Sequence, residues 1–228
     1  MRKISTFALA LLAAVSCQFV SFTGEAASTS KSKALRGPVV VDTLDLKDFN
    51  AIVVNGSADV KFMQSDEFLV ELTANEGVLE ELDCRVEDGS LILAFQHLKK
   101  VRAEHFNFLI KAPQLNAITV NGAADLDILN YASDAKLELE VNGAGDLDVK
   151  NVLVPALTIE LNGAGDITVA DLETEYLSVE VNGAGDAVLS GHAAEASIRI
   201  SGAGDIDARK LKMDKYEQSK HGVGRIRL

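Results

Sequence analysis

From Leu137 onward, hydrophobic and polar residues alternate in short runs. Leu137-Glu-Leu-Glu-Val141, Leu157-Thr-Ile-Glu-Leu161, Leu177-Ser-Val-Glu-Val181 and Ile198-Arg-Ile200 all have period two. Shorter runs of the same kind follow three of them: Leu147-Asp-Val149, Ile167-Thr-Val169 and Ile206-Asp-Ala208. Alternation of this kind places Leu157, Ile159 and Leu161 on one face of a strand and Thr158 and Glu160 on the other. The carboxyl-terminal half is therefore predicted to be strands buried on one face, with no amphipathic helix between them.

A five-residue unit stands between the paired runs. It occurs as Asn55 to Asp59, Asn121 to Asp125, Asn142 to Asp146, Asn162 to Asp166, Asn182 to Asp186 and Ser201 to Asp205, with a degenerate copy from His221 to Arg225. From position 121 the starts fall 21, 20, 20, 19 and 20 residues apart. A constant period of this size indicates a solenoid, whose repeats bury their apolar faces only against neighbouring repeats. It is too short for a βαβ unit, which needs roughly 30 residues. The pattern predicts an all-β chain: a right-handed parallel β-helix with coils of ~20 residues, whose successive strands lie about 4.8 Å apart. The regular repeats are assigned to residues 113–228. Gly143, Gly163, Gly183 and Gly202 supply the unusual backbone angles of the corners. Asn121, Asn142, Asn162 and Asn182 are expected to stack as an amide ladder.

Residues 39–112 are a less regular β portion. Val39 to Val41, Ala51 to Val54, Val60 to Phe62 and Phe106 to Ile110 have strand composition. Glu76 to Leu82 is expected to form one short helix, and Asp88-Gly89 to turn a hairpin between Cys84-Arg-Val86 and Leu91-Ile-Leu93. Pro113 marks the entry into the regular array. The first and second copies of the unit begin 66 residues apart, so an insertion or a separate small sheet lies between them.

The beginning of the chain has another pattern. Arg2 and Lys3 precede the apolar run Ile4 to Val15, and small residues gather at Gly24, Ala26, Ala27 and Ser28. That order is that of a secretory signal peptide, assigned to 1–27 with cleavage after Ala26 or Ala27, followed by a flexible leader at 28–38. Lipid attachment at Cys17, which follows Ala14-Val15-Ser16, is the alternative. No later run reaches the roughly 20 apolar residues of a membrane-spanning helix. After export Cys84 is the one remaining cysteine, expected as a small buried apolar residue. Aromatics are 5% of the 228 residues and Trp is absent, so the core must be aliphatic. A net charge of −12 argues against nucleic acid and anionic headgroups as partners.

Phe49-Asn-Ala-Ile-Val-Val-Asn-Gly-Ser-Ala-Asp59, Asp88-Gly89-Ser-Leu-Ile-Leu93 and the repeated Asn-Gly-Ala-Gly-Asp together resemble the auto-transporter adhesin family with a head GIN domain, from about Val39 onward. The resemblance implies a β-helical, exported bacterial protein and brings no catalytic residues. A self-transporting passenger also needs a membrane barrel of alternating strands. None follows the repeats before Leu228, so the chain is not expected to transport itself.

Asp125, Asp146, Asp166, Asp186 and Asp205 should form a column. Two carboxylates about 4.8 Å apart repel by roughly 1 kcal/mol in water and by more in a protein. One relief is hydrogen bonding from the N–H groups of each Asp's own corner. The alternative is calcium held between coils, although six to eight oxygen ligands are needed. A second carboxylate appears two residues on at Asp127, Asp148 and Asp207 but is Thr168 and Val188 in other coils. Arg225 is expected to lie over Asp205 and end the column. A third reading, a carbohydrate-active β-helix enzyme, lacks support: Tyr131, Tyr176 and Tyr216 are the only aromatics of the repeats, and the four His have no metal-ligand spacing. The sequence thus predicts no enzyme, no catalytic residue, no cofactor and no metal site beyond the calcium alternative. It points to an exported surface or periplasmic binding or structural protein whose partner is a protein or a glycan. The basic stretch containing His97, Lys99, Lys100, Arg102 and His105 is the best candidate for a binding patch.

Overall fold

The computed structural model describes residues 38–95 and 106–228. The expected signal peptide, leader and Cys17, and the basic stretch from His97 to His105, lie outside the described residues. The described chain is a β-solenoid without an α-helix, and its strands form one 13-stranded sheet. The regular part consists of β8 (Ala117–Ala123), β9 (Leu126–Ala132), β10 (Leu137–Ala144), β11 (Leu147–Ala164), β12 (Ile167–Ala184) and β13 (Ala187–Arg227). The last three run through corners that the shorter strands leave as breaks.

Parallel pairing with a constant offset stacks equivalent residues. β10 pairs β11 from Leu137↔Leu157 to Ala144↔Ala164, and β11 pairs β12 from Leu157↔Leu177 to Ala164↔Ala184. Inward columns follow, such as Ile118, Leu139, Ile159, Val179 and Ile198, all at most 1% exposed. Each such side chain contributes roughly 1.5–3 kcal/mol by leaving water. The outward partners Thr158 and Glu160 remain half-buried, as the alternation requires.

The amino-terminal strands belong to the same stack. β2 (Ala51–Ser57) pairs in parallel with β8, so Asn55-Gly56 lies directly against Asn121-Gly122 despite the long separation in sequence. β3 (Asp59–Gln64) pairs in parallel with β9. The intervening chain is an insertion and not a separate sheet. β4 (Leu69–Asn75) runs back antiparallel to β7 (Phe106–Ala112), while β5 (Leu82–Glu87) runs antiparallel to β6 (Ser90–Phe95). β6 and β7 lie parallel on β2 and β3, and β1 (Val39–Leu44) closes the edge against β4. The reversal at β4 and β5 gives this end a cap of antiparallel strands. The expected short helix is a 3-10 turn at Glu76–Glu81, and the hairpin turns through Asp88 and Gly89 with φ of 49° and 75°. Primed turns of this kind need positive φ at both central residues.

Two side chains fasten the insertion. The Gln64 amide donates to the carbonyls of Pro113 (3.0 Å) and Ala132 (2.8 Å) and accepts from the Ala132 N–H (3.0 Å). The buried Tyr131 hydroxyl donates to the Leu115 carbonyl at 2.7 Å and accepts its N–H at 2.9 Å. Cys84 is half-buried on β5, where burial pushes its thiol up to about 11.

The stacked glycines set the tightest constraint. At Gly163, with φ of 156°, an added Cβ would lie 1.8 Å from the Gly143 carbonyl oxygen. At Gly89, also of positive φ, the nearest atom would be Asn50 Oδ1 at 3.9 Å. Gly89→Ala should therefore cost about 1–2 kcal/mol, from backbone strain alone. Gly163→Ala should cost roughly 2–4 kcal/mol, since it also forces two rungs apart. Urea unfolding of the two variants measures the difference.

Candidate functional site

The repeated corner gathers the residues that the sequence singles out. In the ladder Asn121 donates to Asn55 Oδ1 at 3.0 Å, Asn142 to Asn121 at 3.3 Å, Asn162 to Asn142 at 3.0 Å and Asn182 to Asn162 at 3.1 Å. Each of the last three also donates to the Glu two residues before it, Glu140, Glu160 or Glu180, at 2.9–3.0 Å. Those glutamates form a column of their own, in register with Thr119 at one end and Arg199 at the other. Side-chain amides thus stand beside every carboxylate of that column. Gly143, Gly163, Gly183 and Gly202 stack beside the ladder, each against the carbonyl of the glycine one coil earlier.

The aspartates are relieved differently from the own-corner hydrogen bonding expected. Asp125 Oδ1 accepts the backbone N–H of Asp146 (3.0 Å), Asp146 that of Asp166 (2.9 Å), Asp166 that of Asp186 (2.9 Å) and Asp186 that of Asp205 (2.7 Å). The donor belongs to the next coil because the register sets that N–H directly over the carboxylate. Each charge is therefore stabilised by a hydrogen bond across the rung, of the stronger charge-assisted kind. Asp205 accepts the Arg225 N–H at 2.9 Å and meets the guanidinium groups of Arg225 at 3.5 Å and Arg227 at 3.0 Å. Arg227 is the closer counter-charge, a role the sequence pattern gave to Arg225.

The second carboxylate column already holds protein cations. Lys150 lies 2.7 Å from Asp148, and Arg209 lies 2.5 Å from Asp207. Arg209 holds the Asp207 carboxyl down to about 2, chiefly by its side-chain hydrogen bond. Lys61 stands in register with Asp127. Among the described residues no group of three or more His, Cys, Asp or Glu could hold a metal ion. An open cleft of about 470 Å³ runs along this wall between Asp59, Lys61, Asn107, Asp125 and Asp148. Another, of about 420 Å³, lies where the exposed Leu153 and the half-buried Pro155 are rimmed by Glu173, Glu175 and His192. His192 Nδ1 is 2.9 Å from Glu173 and its Nε2 is 4.0 Å from Asp214. Tyr176 and Tyr216 are exposed, whereas Tyr131 belongs to the core.

Sequence reasoning missed a second corner. Asn130, Asn151 and Asp171 all have φ near 54°, and Gly191 continues the series at 122°. Asn151 donates to Asn130 Oδ1 at 2.9 Å, a second amide rung. Asn and Asp tolerate that conformation better than other side chains. Their spacing of about 20 residues was the available signal.

Asn162 occupies an interior rung, so Asn162→Asp removes both donated bonds and sets a carboxylate against Glu160. A loss of about 1–3 kcal/mol at pH 7 is expected. The new carboxyl's folded pKa is raised, so its charge penalty should be full at neutral pH, shrink as pH falls through that raised value towards about 4, and be absent below it. Thermal melts across pH measure this. Arg225→Asp combined with Arg227→Asp should lower the melting temperature at low salt, with the deficit narrowing at 1 M NaCl. Equal deficits at both salt concentrations would show that the arginines do not act as counter-charges.

The fold recurs in solved structures. A "putative adhesin" from Bacteroides fragilis superimposes with a TM-score of 0.67 at 21% identity, covering 83% of this chain and 96% of that one. A "putative adhesin" from Parabacteroides distasonis gives 0.68 at 19% identity, with 84% and 97% covered. A "putative lipid binding protein" from the same organism gives 0.50 at 18%, with 83% and 97% covered. No curated protein matches the chain. The sequence matches, over residues 48–228, the family described as "Putative auto-transporter adhesin, head GIN domain", and the chain belongs to that family.

Proposed function

We propose that this protein is an exported, non-catalytic β-solenoid that works at the cell surface or in the periplasm as an adhesin-like binding protein. Membership of an adhesin family supports a ligand-binding role. The observation that carries the reading is the laddering of the outer side chains. Asn142, Asn162 and Asn182, with Glu140, Glu160 and Glu180, repeat one polar pair at rung spacing along one wall. The amide N–H groups are spent within the ladder, so the row offers a partner periodic, preorganised carboxylate acceptors. These suit an extended partner rich in donors, a glycan or a protein strand, because little ordering entropy is lost on the ladder's side. Catalysis needs the opposite, a single place where two groups differ in environment. The acidic pairs here recur from coil to coil.

Binding of the purified protein to immobilised glycans and extracellular-matrix proteins tests the proposal. Saturable binding to one class, weakened by Glu160→Lys, is expected. Uniform failure would leave a purely structural role. The inter-rung hydrogen bonds also leave each aspartate with only part of its oxygen set, against the six to eight ligands of calcium. Calorimetric titration should give no saturable calcium binding up to the millimolar range, and a saturable isotherm would move the assignment to a calcium-binding repeat protein. The intact mass of the secreted chain should correspond to a start at Ala27 or Ser28. A diacylglyceryl adduct on Cys17 would identify the lipid-anchored alternative, and retention of residues 1–27 would contradict export by this route.

A further inference from the structure

The net charge of −12 conceals a polarity along the stack. Residues 38–112, which supply the antiparallel cap, carry seven Lys or Arg against fourteen Asp or Glu. Residues 207–228, the coil at the opposite end, carry seven against three. The basic residues surround that coil. Arg209 and Arg227 lie beside Asp207 and Asp205, Lys212 beside the cleft that holds His192, Lys215 against Glu195, and Lys220 before the glycine corner. Lys210 and Lys212 make no ion pair among the described residues, where they are both exposed. Arg225 and Lys215 are 73% and 76% exposed even though paired.

The inward positions of this coil have changed as well. Gly222 stacks on Gly202, which sets Gln218 over Ile198 and Lys220 over Ile200. Where earlier coils present aliphatic side chains, this one presents an amide and an ammonium group. Among the described residues no other strand pairs with its far side. The coil therefore offers free backbone groups ringed by cations, with Tyr216, Val223 and Leu228 as its exposed apolar residues. Charged residues on an exposed edge discourage indiscriminate pairing. They also select a partner of opposite sign. At the other end of the stack Asp42 on β1, Asp66 and Glu67 after β3, and Glu76 at the 3-10 turn are all exposed.

We propose that the basic coil 207–228 of one molecule docks on the acidic cap of a second copy, giving a head-to-tail assembly of solenoids. The two surfaces differ, so the contact is heterologous and propagates. The overall negative charge does not forbid it. At about 0.1 M salt the screening length is roughly 10 Å, so the contact senses the two facing ends and little of the remote acidic walls.

Sedimentation velocity of the full-length protein at about 100 μM in 0.1 M NaCl should show a concentration-dependent series of oligomers that disappears at 1 M NaCl. Lys210→Glu with Lys212→Glu should abolish self-association, as should Asp42→Lys with Glu76→Lys. Both pairs lie on exposed side chains, and circular dichroism with melting curves checks that each variant folds. Mixing the two variants restores the native pair of ends and also sets the two substituted ends, now of opposite sign, against each other, so the mixture should again give salt-sensitive oligomers. A wild type that stays monomeric at 0.1 M salt would overturn the proposal. So would folded variants whose mixture remains monomeric. Salt-sensitive binding of the wild type to vesicles of anionic phospholipid, without self-association, would overturn it too and assign the basic coil to a membrane surface.

Discussion

Contact between glycine corners of successive coils sets the geometry on which the rest of the protein depends. The Cα of Gly163 sits so close over the Gly143 carbonyl that a methyl group cannot be placed between them, and the same holds from Gly122 to Gly222. This closeness keeps the rungs at hydrogen-bonding distance through the turn, where a sheet would ordinarily end. β13 can therefore run unbroken through the glycine corner at Gly202 and Gly204, whereas β11 and β12 end within theirs, at Ala164 and Ala184. Once the corner is locked, every other residue inherits its height in the stack. Leu157 meets Leu177, and Asn162 meets both Asn142 and Asn182.

That inheritance brings like charges together. A solenoid with a period near 20 residues repeats its acids at the same azimuth, and the chain contains several independent remedies. Backbone N–H groups of the next coil serve Asp125 through Asp205, side-chain amides serve Glu140, Glu160 and Glu180, and Lys150 and Arg209 serve Asp148 and Asp207. Most of these ion pairs are exposed and individually weak. Their structural value lies in removing repulsion from the columns. All of these partners are groups of the chain itself, and the family to which the chain belongs carries an adhesin description.

Much of the regular array was legible because one short unit recurs at fixed spacing with alternating strands on either side. The Asn ladder and the glycine stack follow directly once coils are stacked. The source of the aspartate hydrogen bonds was not legible, since only the register shows that the N–H above each carboxylate belongs to the next coil. The cap was also obscure. Nothing in the spacing between Asn55 and Asn121 states that the chain reverses at β4 and β5 and returns to lay β8 on β2. Gln64, which fastens that excursion through three hydrogen bonds, is a single residue outside any repeat. The second corner at Asn130, Asn151 and Asp171 did carry a periodic signal, but it interrupts the pairing for a single residue within continuous strands and the alternation continues almost through it.

The pairing of β2 with β8 is the most demanding consequence of the stacked-corner account, because 66 residues intervene between the two asparagines. Neighbouring parallel strands hold equivalent Cα atoms about 4.8 Å apart, within the range that a disulfide spans. The direct measurement is disulfide formation between Asn55→Cys and Asn121→Cys in a Cys84→Ser background, with Asn55→Cys and Asn142→Cys, two rungs apart, as control. The account predicts rapid, near-complete oxidation of the folded first pair and none within the control molecule. An unreactive first pair, or equal reactivity of the two, would contradict it.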